Sequence, residues 1–235
     1  MTETLLYALL AFLIVDLAAL LGLLLYKLHK EALRQKIRHF GDRAEETVKE
    51  YLETEFPGAE MFHNVFLKTK SGSTQVDHIL ISKWGLFVIE TKSHNGKINV
   101  GKKEWVQIYG EKVVRFHSPV LQNESHQRAL KNILDHHRAL RKIPVRGLVV
   151  FTSKKVSFSK RVTGVLRLNE LAPYIKSGGT ETRRNAHLTA NSHISYLTRQ
   201  KITLLEKAIR RGLVRSHGRR RLHEKTVRNL NGNRY

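Results

Sequence analysis

Between Leu5 and Tyr26 the chain reads LLYALLAFLIVDLAALLGLLLY, 22 residues interrupted by a single charge, Asp16. An apolar helix of that length spans a hydrocarbon core. A cleaved leader is the competing reading, but no Lys or Arg precedes the run, and it exceeds the usual apolar core of a leader. The segment 5–26 is therefore predicted as a transmembrane helix. Asp16 marks a helix–helix contact or a polar path, or is a tolerated cost of ~3 kcal/mol in a Leu-rich span. Residues 27–40, KLHKEALRQKIRHF, predict a basic amphipathic juxtamembrane helix, and Gly41 predicts its interruption.

Beyond Gly41 the pattern changes. In GDRAEETVKEYLETEF, Val48, Leu52 and Phe56 recur every four residues, which predicts a helix buried on that face, acidic in its first turns and ended by Pro57-Gly58. Strands follow over MFHNVFLKT, QVDHILIS and GLFVIETKS, then shorter ones over KINV, EWVQIYG and EKVVRFH. SPVLQNESHQRALKNILDHHRALRK predicts a long helix opening at Ser118-Pro119, and VRGLVVFTS a buried strand. The predicted order is helix, three antiparallel strands, a small hairpin insert, helix, strand, an α/β arrangement over 41–152.

Residues 153–235 form a C-terminal extension. TSKKVSFSKRVTGVLRL predicts one or two strands, LNELAPYIKS a short helix and SGGTETRRNA a linker. Ile194, Leu197, Ile202, Leu205, Ile209 and Leu213 keep helical spacing, whereas the last ~20 residues hold too few apolar side chains to pack.

The chain of 235 residues has no Cys, which excludes disulfides, thiolate zinc sites and a Cys nucleophile. With 42 Lys+Arg against 20 Asp+Glu, its net charge of +22 calls for a polyanionic partner. The excess is local: residues 1–40 hold 5 basic and 3 acidic side chains, 41–130 hold 12 and 12, and 131–235 hold 25 and 5. Arg183, Arg184, Arg210, Arg211, Arg215, Arg219, Arg220 and Arg221 suit phosphate contact, and nucleic acid and anionic membrane lipid fit them equally. Lys27, Lys30, Arg34, Lys36 and Arg38 flank the apolar run on its C-terminal side only, which predicts a single pass with the N-terminus outside and the remainder in the cytoplasm.

Chemistry is signalled by charges inside apolar strands. Asp77 interrupts Val76 and Ile79–Ile81, while Glu90 and Lys92 end the run Leu86–Ile89 and share one strand face. A two-residue turn at Lys83-Trp84, or a four-residue loop SKWG, puts Asp77 opposite Glu90; a three-residue loop would put Thr91 there instead. Two adjacent carboxylates suit Mg²⁺ or Mn²⁺, which acidifies water and neutralises charge on a reacting phosphate, with Lys92 placed to orient the water or stabilise negative charge. The bland alternative is a buried ion-pair network that only fixes the core. Among 13 His no metal-binding spacing stands out; His126, one helical turn after Gln122, is a candidate accessory group.

GDRAEETV, QVDHILIS, GLFVIETKS followed by Gly96, Trp105, and SPVLQNESH occur in an order that resembles the nuclease-related domain (NERD) family of the PD-(D/E)xK nuclease superfamily, over about residues 38–152. Ser118 stands where that family has Asn. The resemblance implies a restriction-endonuclease-like core and a metal-dependent nuclease cleaving DNA, or RNA. It implies Glu45 as the helix carboxylate, Asp77 and Glu90 as metal ligands and Lys92 as the catalytic lysine, with Gln75 or Gln122 accessory. Glu46 is the alternative to Glu45, since neighbours on a helix point about 100° apart. The competing function is a catalytically inactive module that binds nucleic acid or protein at the membrane.

Overall fold

In the computed structural model, residues 2–69, 72–178 and 196–214 are described. The chain divides after Arg43 into two units. The first consists of one helical segment, the start of helix α1 (Thr2–Glu55). Its apolar side chains, Phe12 to Leu25 among them, are exposed, and it is long and apolar enough to cross a membrane. Gly41 does not interrupt this helix, contrary to the sequence expectation. A lone glycine costs only about 1 kcal/mol against Ala in a helix, and strong helix formers on both sides carry the hydrogen bonding through it.

The second unit is built on a five-stranded sheet of order β1-β2-β3-β7-β9, with β1 (Glu60–Thr69), β2 (Gly72–Ser82), β3 (Gly85–Lys92), β7 (Val145–Phe151) and β9 (Val165–Arg167). β1 to β3 form an antiparallel meander, while β7 and β9 join in parallel. The apolar alternation of β3 divides two cores. Leu86 and Val88 pack with helix α2 (Pro119–Asp135) and helix α4 (Arg199–Gly212). Phe87 and Ile89 pack with Val48 and Leu52 of α1 and with helix α3 (Leu168–Lys176).

A second sheet, of order β6-β5-β4-β8, comprises β4 (Gly96–Asn99), β5 (Glu104–Tyr109), β6 (Lys112–His117) and β8 (Val156–Phe158). It packs Ile98, Trp105 and Val156 against Val149 and Phe151 of β7. The predicted order of elements from the first helix to β7 is the observed one. Helix α2 stops at Asp135, short of the stretch predicted to Lys142, because His136 caps it and the chain turns through His137–Ile143.

The described residues beyond 152 are built into the fold. β9 extends the main sheet, and Leu171, Ile175, Leu205, Ala208 and Ile209 complete the two cores. Leu213 bridges to Leu67, and Val214 N–H donates to Phe66, closing part of the edge of β1.

Candidate active site

The hairpin β2–β3 turns at Lys83-Trp84 with Ser82 opposite Gly85 and His78 opposite Ile89, the register that brings Asp77 and Glu90 together. Asp77 Oδ2 accepts the Thr91 N–H at 2.8 Å, so the carboxylate takes over the ladder where strand pairing ends. Glu90 is 2% exposed, and Lys92 Nζ donates to its Oε1 at 2.6 Å. Helix α2 supplies the third side. Its N-cap is Ser118, whose Oγ accepts from Leu121 N–H, and Pro119 sits in the first turn, where its missing donor costs nothing. One turn apart on α2, Gln122 Oε1 accepts from Lys92 Nζ at 3.2 Å, and His126 Nε2 stands 3.2 Å from Glu90 Oε2. That His126 contact is close but too poorly aligned for a hydrogen bond, and it leaves Glu90 Oε2 a buried oxygen without a donor. The other ring nitrogen of His126, Nδ1, lies 2.9 Å from Thr74 Oγ1.

The two carboxylates are pushed in opposite directions. Burial, then the charges of Glu90 and Glu45, raise Asp77 well above the usual carboxylate range, with only the Thr91 N–H and Lys92 opposing. Burial pushes Glu90 the same way, but the adjacent Lys92 ammonium and His126 override it and hold Glu90 below its ordinary value. Burial favours the neutral amine of Lys92, yet Glu90, Asp77 and Glu45 outweigh it and keep the ammonium. Glu45 thus acts on both Asp77 and Lys92, while Glu46 is exposed and paired to Lys49 at 2.7 Å. Of the two helix acids, Glu45 is the one whose charge acts on this cluster.

The donor set suits a hard divalent cation: carboxylate oxygens, one of them buried and undonated, in a site where negative charge is already in excess around Asp77. Among the described residues no three His, Asp or Glu side chains enclose a metal site by themselves.

Residues 40–152 match the family model of the nuclease-related domain. This stretch of the chain is a nuclease-related domain. An uncharacterised protein of Bacillus anthracis is 32% identical over 124 residues, covering 50% of this chain and 56% of that protein, so the chain spans little more than half the length of this relative. No solved structure matches.

Within the nuclease-related domain, Glu45, Asp77, Glu90, Lys92, Gln122 and His126 converge. Gln75 does not: its amide donates to Asn64 Oδ1 at 2.8 Å, at a position where Asn64 takes a left-handed φ of 51°. Arg183, Arg184, Arg215, Arg219, Arg220 and Arg221 lie outside the described residues. Arg210 and Arg211 end α4, and Arg210 is engaged within the chain, donating to Glu206 and lying over the Phe62 ring.

Asn123 escaped the sequence reading. It is 2% exposed and donates through Nδ2 to the carbonyls of Val88 and Leu148 at 3.0 and 2.6 Å, fastening α2 across the β3–β7 junction. The signal was present: Asn123 occupies the buried stripe of α2 with Pro119, His126, Leu130 and Leu134, where an unpartnered amide would be costly. Thr91 was missed too. Its N–H holds Asp77 and its hydroxyl lies 3.2 Å from His78 Nε2 on the opposite face, where His78 Nδ1 meets His63 Nδ1 at 2.8 Å.

Proposed function

We propose that the chain is a membrane-anchored, metal-dependent nuclease that hydrolyses phosphodiester bonds of DNA, or of RNA, on the cytoplasmic side. The observation that carries this reading is the buried end of β3. There the Lys92 ammonium, held by Glu90 and Gln122, sits one strand away from an Asp77 carboxylate whose charge the protein alone does not balance.

Asp77 and Glu90 would hold Mg²⁺ or Mn²⁺, with Glu45 supporting the site. When bound, the cation acidifies water and neutralises charge on the phosphate. The chain's own groups supply the rest. Lys92 keeps its proton, so it serves as a cation toward the phosphate or the attacking water and not as a base. Gln122 fixes the ammonium, His126 confines Glu90, and the Thr91 N–H fixes one Asp77 oxygen. The apolar run 5–26 and its one-sided basic flank support an anchor with this domain in the cytoplasm.

The 2.6 Å Lys92–Glu90 pair also favours a second reading, an inactive module whose ion pair merely fixes the core. Plasmid and oligonucleotide cleavage by the full chain in detergent separates the two. With Mg²⁺ or Mn²⁺ the wild type should cleave, and Asp77→Asn and Lys92→Ala should each lose at least about 100-fold, the range seen when an electrostatic group of a site is removed. Cleavage that is equal in all three proteins, or unaffected by chelator, would defeat the assignment.

A further inference from the structure

The second sheet carries a charge that the neutral total of residues 41–130 conceals. Residues 93–117 and 152–164, which form it, hold nine Lys and Arg against two Glu, whereas residues 44–69 and 72–92 hold four against eight. Six of these cations lie along one seam. Lys154 and Lys155 stand at its start, where Lys155 O accepts from Gly96 N–H; Lys97 lies mid-seam opposite Ser157. Lys160 stands at its end, where Ser159 N–H donates to Ile98 O and its Oγ accepts from Val100 N–H; Lys102 and Lys103 follow in the next loop. All six are exposed, and none has a carboxylate partner among the described residues.

The seam is rooted at the candidate site. β4 leaves β3 four residues after Lys92, β8 leaves β7 five residues after Phe151, and Thr152 N–H donates to Lys92 O at 3.1 Å. The Lys102-Lys103 loop is tied to the start of α2, with Lys103 O accepting from Ser118 N–H at 2.8 Å. Five residues from Gly96 to Val100 extend over about 13 Å, enough for more than one backbone phosphate.

We propose that the β4–β8 seam is the surface on which this protein holds the phosphate backbone of its nucleic acid, beside the Lys92 site; this rests on the nuclease reading of that site. The contacts are to phosphate, so the seam confers affinity without sequence preference. Lysines also guard sheet edges against aggregation, and β8 is such an edge. The experiment separates the roles.

The full chain in detergent, with chelator present, is titrated against fluorescent duplex and single-stranded DNA across a salt series, reading anisotropy. Lys97→Glu/Lys102→Glu/Lys155→Glu should bind at least about tenfold more weakly, and each lost contact should flatten the slope of log affinity against log salt by about 0.9 on the duplex and about 0.7 on the single strand. Lys201→Glu/Lys207→Glu on α4, the same kind of charge change elsewhere, should bind like the wild type. Wild-type affinity in the seam variant overturns the proposal, and added aggregation with unchanged binding returns the lysines to edge protection. So does an equal loss in the α4 variant, which makes the effect one of net charge. Vesicles of phosphatidylserine in phosphatidylcholine form the other arm: lost vesicle binding with DNA binding intact assigns the seam to lipid and also overturns it. Milder Lys→Gln changes at the same three positions repeat the ranking if the reversed variant melts early. Anisotropy needs no turnover, so seam-dependent binding without cleavage would defeat the nuclease reading and leave the seam standing.

Discussion

Asp77 and Glu90 are chemically alike and neighbours across a hairpin, yet the fold treats them oppositely. Glu90 faces Lys92 and His126 and stays ionised; Asp77 faces Glu90 and Glu45 and resists ionisation. Carboxylates driven apart in this way mark a candidate functional site. Removing the Asp77 charge should therefore relieve the metal-free fold. Asp77→Asn keeps an oxygen for the Thr91 N–H and should raise the thermal midpoint without divalent cation by a few degrees, the scale that about 1 kcal/mol has in a domain of this size. A midpoint below the wild type would contradict the account.

These residues were legible in the sequence because a charge inside an apolar strand stands out against its neighbours. Asn123, Thr91 and the His63–His78 pair did not stand out, because an amide, a hydroxyl or an imidazole in those settings differs little from ordinary surface polarity until its partner is known. Glu45 lay between. Two adjacent acids were evident, and only the packing of α1 separates the one whose charge acts on Asp77 from the one that pairs with Lys49.

At the level of elements, the site depends on how closely α2 lies on the β3–β7 pair. Gly147 makes room for it: a Cβ there would overlap the Gln127 amide and stand 2.6 Å from Asn123 Oδ1. Gly147→Ala should cost about 1–3 kcal/mol in chemical denaturation, the usual range for overpacking, and also weaken the Asn123 bonds to Val88 and Leu148. Shortening the flexible neighbour in Gly147→Ala/Gln127→Ala should restore part of the loss. A neutral Gly147→Ala would mean that α2 rides more loosely than its hydrogen bonds indicate. The same comparison explains why Gly41 misled the sequence reading. Glycine forces a break only where the geometry demands its freedom, and a regular helix makes no such demand.

For the molecule as a whole, two buried histidines set a response to acid. Burial, joined by His63, lowers His78 to about 3, and burial with Lys92 nearby lowers His94 to about 4. Above pH 6.5 both are neutral whether folded or unfolded and contribute nothing. Between pH 6.5 and 4 the unfolded chain binds protons that the fold excludes, so stability falls as pH falls, by about 2 kcal/mol for each at pH 5. Asp77 works the other way, since its raised folded value recovers stability as pH drops through it, and the net decline is correspondingly smaller. Thermal melts at pH 7 and pH 5 should show the wild type weaker at pH 5 and His94→Leu less pH-dependent. A wild type as stable at pH 5 as at pH 7 would refute the assignment.

The closure of β1 by Leu213 and Val214 bears on where this protein can be cut. The match to the nuclease-related domain ends at residue 152, but the apolar interior does not. A chain stopped there keeps every carboxylate of the candidate site. It also gives up β9 beside β7, bares the bridged stretch of β1, and strips Leu205, Ala208 and Ile209 from the core beneath the site. Open strand edges pair with other chains. The matched block and the folding block are therefore different lengths of one chain, and a fragment drawn to the first would report its own aggregation in place of its chemistry.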